Sequence, residues 1–130
     1  MRCLLEIIFT KEKDMKTQTS TLTGPALDWA VAKCQSDTHL THPANWRLFL
    51  ISHRRNQHTF STDWAQGGPI IEREKISTDY ALCYGETGQE WEAVSVDDLK
   101  VGGPTPLIAA CRCYVASKLG DTVEIPDELL

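Results

Sequence analysis

No stretch of this chain approaches the roughly 20 apolar residues that a bilayer-spanning helix needs. The most apolar early run, Cys3-Leu4-Leu5-Glu6-Ile7-Ile8-Phe9, is broken by Glu6 and is not followed by a small-residue cleavage site. Membrane insertion and export are therefore not expected. Positive charge is also in short supply, with 13 Lys and Arg against 18 Asp and Glu, a net charge of -5 and a pI near 5.3. That balance argues against a generic nucleic-acid binder, whose affinity comes from cations neutralising phosphates. The pair Arg54-Arg55 is a local exception, and reads as a solvated turn. Gly-x-Ser-x-Gly, phosphate-loop and dinucleotide fingerprints are absent, so no cofactor is implied. The five cysteines, Cys3, Cys34, Cys83, Cys111 and Cys113, are odd in number and lie mostly in apolar segments. They read as small hydrophobes in a reducing cytosol, not as a disulfide framework.

What is present suits one domain. A chain of 130 residues with 42% hydrophobic content can bury roughly two-thirds of its unfolded surface. Residues 15–130 are expected to form a single α+β domain, in which a small antiparallel sheet with a central hairpin packs against two main helices. The first helix, at about 25–35, is signalled by Thr23-Gly24-Pro25 and by Leu27, Val31 and Cys34 at helical spacing; Trp29 should flank its core face. The second, at about 106–119, follows Thr105-Pro106, buries Leu107, Ile108, Cys111, Val115 and Leu119, and stops at Gly120. Trp46 to Ile51 reads as a strand by its aromatic and branched content. Thr78–Tyr84 and Glu90–Val96 read as a hairpin around the glycine-bearing segment 85–89, and Val123–Glu128 as a short edge strand and tail.

The first fourteen residues leave two readings open. Met15 is a second plausible start, and Lys11-Glu12 is what a ribosome-binding AAG GAG encodes when read in frame, so residues 1–14 could be translated leader. Alternatively, Cys3 to Phe9 forms an additional N-terminal strand.

The segment Ser61-Thr-Asp-Trp-Ala-Gln-Gly-Gly-Pro-Ile-Ile-Glu-Arg-Glu74 is where a site is expected. It combines an aromatic plane, an amide, adjacent glycines and a charged triplet, a mixture poorly suited to a core. It reads as a binding loop that leads into a helix or strand. The candidate ligand-binding residues are Asp63, Trp64, Gln66, Gly67, Gly68, Arg73, Trp91 and Arg112. The tryptophans would serve as stacking planes, the arginines as anion partners and Gln66 as an orienting amide, with backbone N–H groups at Gly67-Gly68 or at the Thr105 helix start. This inventory suits a small planar anion. Asp63, Glu72 and Glu74 supply the acids a small hydrolase would need, but the alternation with Arg73 is more typical of a solvated face. No catalytic residue is assigned. His39, His42, His53 and His58 lack a full ligand set and read as solvated loop histidines, so no metal is expected.

Three segments, 22–34, 61–74 and 103–120, together resemble the NinX-like family of small tailed-phage and prophage proteins. The resemblance runs from Met15 to the end. It implies a phage context and a start near Met15, with no established activity. Segment 37–57 departs from the family pattern, so no role for its histidines carries over. The expectation is a non-enzymatic phage accessory protein of the host cytosol that counters host defence by binding a small anionic ligand, such as a nucleotide-derived immune signal, or a host protein. Self-association is also expected; nucleic-acid and membrane partners are not.

Overall fold

The computed structural model describes residues 14–35, 41–80 and 90–130, with backbone alone for Asp14 and Met15. The alternatives for residues 3–9 and the hairpin loop 85–89 lie outside the described residues. In chain order the elements are β1 (Asp14–Gln18), α1 (Gly24–Cys34), α2 (Trp46–Arg54), α3 (Trp64–Glu74), β2 (Ser77–Tyr80), β3 (Trp91–Val94), β4 (Lys100–Gly103), α4 (Pro106–Leu119) and β5 (Thr122–Pro126).

The fold is α+β, with the strands divided between two antiparallel sheets. The three-stranded sheet has the order β2-β3-β4 and contains the expected hairpin ladder, Tyr80 opposite Trp91 and Thr78 opposite Ala93. It packs on α4. The smaller sheet pairs β1 with β5, Met15 opposite Ile125 and Thr17 opposite Val123. In β5, buried Val123 and Ile125 alternate with exposed Thr122 and Glu124, the period-two pattern of a strand lying on a core.

α1 and α4 form the centre and pack on each other. Both start where expected, with Pro in the first turn and, in α4, Thr105 Oγ1 accepting Ile108 N–H at 3.0 Å. Their burial exceeds the expected single stripe. Ala26–Ala32 are all buried in α1, and Ala109–Val115 in α4, as befits helices covered on nearly every face. Trp29, expected at the edge, is 1% exposed and meets Phe49 edge-on at 5.3 Å. Such central burial needs small residues, and Ala26, Ala30, Ala32, Ala109 and Ala110 provide them.

Two readings change. Trp46 to Ile51 belongs to helix α2, not to a strand. Length and apolar content do not distinguish a short buried helix from a strand. Here the exposure follows the helical period: Phe49 is fully buried while Leu48 and Ile51 face out. The turn Pro43–Asn45, capped by the His42 ring accepting Ala44 N–H, launches the helix, and Arg54 in its last turn complements the helix dipole.

The second change is α3, which forms through the Gly-Gly-Pro expected to keep that segment a loop. A glycine costs a helix about 1 kcal/mol and an interior proline about 3. Tertiary contacts override that penalty. Asp63 caps the first turn, Oδ1 accepting Ala65 N–H at 3.0 Å, and Ile70 is buried. Lys75, in the left-handed conformation with φ 55° and ψ 47°, closes the other end. Its N–H reaches Glu72 O, and Ile76 N–H reaches Ile71 O at 3.1 Å, a Schellman closure.

Candidate functional site

Gly67 explains how α3 meets the core. A Cβ there would lie 2.3 Å from Phe60 O and 2.6 Å from Leu107 Cδ1, so only glycine lets the first turns of α3 and α4 touch. The glycine serves helix packing. Gly68, by contrast, faces open space apart from Trp64 Cε3 at 3.9 Å from a would-be Cβ.

Beside this contact the two helix starts enclose an open cavity of about 220 Å³ lined by Ser61, Thr62, Trp64, Thr105, Leu107 and Ile108. Trp64 is 55% exposed, the one tryptophan among the described residues left largely to solvent. The lining offers an indole face, two aliphatic side chains and three hydroxyl residues, at the positive ends of two helix dipoles.

The remaining expected site residues disperse. Gln66 turns back on the chain: Oε1 accepts Thr59 N–H at 2.9 Å, and Nε2 shares its two hydrogens among Asn56 O, Thr59 Oγ1 and Asp63 Oδ2 at 2.8, 2.8 and 2.9 Å. It latches segment 56–63 to α3. Arg73 lies nine residues beyond Trp64, about 13 Å along the helix. It donates to Glu74 at 2.9 Å, to Gln35 Oε1 at 2.9 Å and to Tyr114 Oη at 3.2 Å, bridging three helices. Arg112 is buried, donating to Leu22 O at 2.7 Å and Gly102 O at 3.0 Å, and burial pulls its guanidinium below the usual range. Trp91 is half-buried and packs edge-on against Tyr80 at 5.3 Å. Asp63, Trp64, Gln66, Gly67 and Gly68 thus share the start of α3, while Arg73, Trp91 and Arg112 are positioned elsewhere and do not line the cavity.

The acids do not converge either. Glu74 pairs with Arg73 and Lys118, and the Arg73 hydrogen bond holds its carboxyl below the usual range. Asp63 is committed to its cap and to Gln66. The buried cysteines are poor nucleophiles: burial pushes Cys111 up to about 12 and Cys113 to about 11.

One constellation goes unannounced in the expected site. Asp28, fully buried in α1, accepts Ser61 N–H at 2.8 Å with Oδ1 and meets His53 Nε2 at 2.7 Å with Oδ2. Burial raises the carboxyl above its usual range, against the opposing pull of His53 and the Ser61 N–H. Ser61 Oγ lies close enough to add to that pull without completing a hydrogen bond. His53 is therefore no solvated loop residue. His58 is likewise engaged, Nδ1 lying 3.2 Å from Ser52 Oγ and its ring against Phe49 and Phe60, and His42 is a cap; His39 lies outside the described residues. The sequence signal was a lone acid in the small apolar run Ala26–Ala32, which demands a buried partner. Among the described residues no three potential metal ligands cluster.

The family model for NinX of bacteriophage P22 matches residues 18–118, which take in α1, α2, α3, all of α4 but its last residue, and the cavity between α3 and α4. The chain belongs to the NinX family. No curated protein matches it. Among the described residues no helix is long and apolar enough to cross a membrane.

Proposed function

We propose that this NinX-family protein is a phage accessory protein that sequesters a small planar anion, a nucleotide-derived host immune signal being the ligand class that best suits the site. One observation carries the reading: the exposed Trp64 face stands over a cavity at the meeting of two helix starts. A base or similar ring stacks on the indole and against Leu107 and Ile108, a contact worth about 1–3 kcal/mol. The anionic part lies toward the hydroxyls and the positive end of α4, the start of α3 being already capped by Asp63. Size limits the fit. Sites for drug-sized ligands run from about 300 to 1,000 Å³, so a 220 Å³ cavity holds one ring system and leaves the rest of a larger molecule outside. Arg73 and Arg112 hold the helices that shape the cavity and do not contact the ligand. Sequestration takes place in the host cytosol and counters host defence without chemistry; the dispersed acids leave a hydrolytic alternative no assembled carboxylate pair.

The test is titration of purified protein with cyclic dinucleotides and ADP-ribose-type nucleotides, followed by heat denaturation and product analysis. Expected are saturable binding by wild type, none by Trp64→Ala, and intact ligand on release. Converted ligand would favour the hydrolase, and absence of binding by every such nucleotide would remove the reading.

A further inference from the structure

A second surface lies on α2, no residue of which lines the Trp64 cavity. Its inner side is fixed by Phe49, fully buried against Trp29, and by His53 at Asp28. Its outer side presents Arg47, Leu48, Ile51, Arg54 and the following Arg55, all exposed and spaced so as to share one helical face. Leu48 and Ile51, 48% and 46% exposed, form an apolar ridge with the arginines around it.

The charge there is the reverse of the molecule's. Residues 38–62 contain Arg47, Arg54 and Arg55 and none of the eighteen acids of a chain whose net charge is -5. Elsewhere the described arginines are spent within the fold, Arg73 on Glu74 and Arg112 on backbone carbonyls. Arg47, Arg54 and Arg55 make no ion pair among the described residues; Arg47 instead rests over the Trp46 ring at 5.1 Å, which preorganises its guanidinium. Three arginines without an ion pair among the described residues raise the local potential, and two exposed aliphatics beside them cost solubility. Arginine and apolar side chains within a polar rim are the composition of a protein interface.

We propose that the outer face of α2 docks an acidic protein partner, whose carboxylates engage Arg47, Arg54 and Arg55 around apolar groups seated on Leu48 and Ile51. Charge complementarity selects this occupant. A symmetric contact with a second copy would set three arginines against three. A phosphate backbone has nothing to place on an aliphatic ridge, and a nine-residue helix with two outward aliphatics anchors poorly in a bilayer.

The test places a photo-crosslinking amino acid at Leu48 of the full chain in phage-infected cells and sequences the adducts. Purified protein is assayed in parallel by sedimentation, alone and with duplex DNA or phosphatidylglycerol vesicles. Expected is an adduct to a net-acidic segment of another protein. Yield should fall at least about tenfold with Arg54→Glu or Ile51→Asp, at unchanged melting temperature, and also with rising salt. Lys100→Glu and Trp64→Ala should leave it intact, which separates this surface from the cavity. Adducts only to a second copy of this chain, α2-dependent binding to the DNA or vesicles, adduct yield indifferent to the α2 variants, or no adduct would each overturn the proposal.

Discussion

α3 and α4 touch at Gly67 and Leu107, yet they are helices for different reasons. α4 is written into its own residues: a threonine cap, a first-turn proline, alanines and leucines, a terminal glycine, and burial from Leu107 to Val115 interrupted only at Ile108. α3 carries two glycines and an interior proline and would be a poor helix in isolation. Neighbours impose it. Asp63 and Gln66 tie its first turn to segment 56–63, Leu107 receives Gly67, and Lys75 closes it in a conformation unfavourable to a side chain. A helix that depends on packing can leave one end free for another purpose, and Trp64 stands at that end.

The largest effect that would test this contrast comes from α4. Cys111 is 2% exposed, and Cys111→Asp puts an unpaired charge among fully covered side chains. It should unfold the protein or cost more than about 4 kcal/mol; an unchanged melting temperature would mean α4 is not the centre.

The second concerns the contact itself. Gly67→Ala should destabilise by about 3 kcal/mol, because its Cβ meets backbone at Phe60. Gly68→Ala should raise stability by about 0.5–1 kcal/mol through helix propensity alone. Denaturant melts giving the two variants equal shifts would show that α3 is not held by close approach.

The third concerns the tie from the core to Ser61, just upstream of α3. The Asp28 carboxyl is raised in the fold, so its contribution to stability is present at acid pH and is lost as pH rises through the raised value. Asp28→Asn keeps an acceptor for Ser61 N–H and cannot ionise. The stability difference between wild type and variant should therefore shrink from pH 4 to pH 8. A difference that widens over that range would mean the ionised pair with His53 outweighs desolvation.

The fourth separates the tryptophans. Trp64→Ala should cost less than about 1 kcal/mol and abolish ligand binding, whereas Trp29→Ala should cost about 3–5. Similar losses would reduce Trp64 to a packing residue. Smallest of all, Lys75→Gly should stabilise by up to about 1 kcal/mol, since Lys75 sits at φ 55°; a loss would mean the side chain contributes more than its backbone strain costs.

The two helices also mark how far the sequence could be read. α1, α4, the β2–β3 ladder and β5 were legible because caps, prolines, glycines and apolar spacing all agree there. α2 and α3 were not. Trp46–Ile51 has the composition of a strand, and its helical period emerges only from which residues find cover; α3 contradicts its own propensities, and the override comes from Phe60 and Leu107, near in space only. The exposed aromatic of the candidate site was legible for the same reason that its arginines misled. Sequence shows that Trp64 and Arg73 are near along the chain, while a helix sets them about 13 Å apart. Thr105, Leu107 and Ile108 could be read as parts of α4, but not as a wall opposite Trp64.

The pairing of β1 with β5 has a mechanical consequence. The strands are antiparallel, with Asp14 opposite Pro126, so the outward-leading end of each lies at the same edge of the ladder. Tension applied at the Asp14 end of β1 acts on one rung at a time, peeling the strands apart instead of shearing all rungs together. The last rung, Gln18 with Thr122, leads to the Thr19 hydroxyl on Gly120 O, where β1 hands over to the core and α4 ends. An unfolding machine that pulls on the Asp14 end of β1 therefore opens the ladder rung by rung, each rung moving the load closer to the cap of the central helix, whereas a pull from beyond Pro126 first meets Leu129, which is buried in the core.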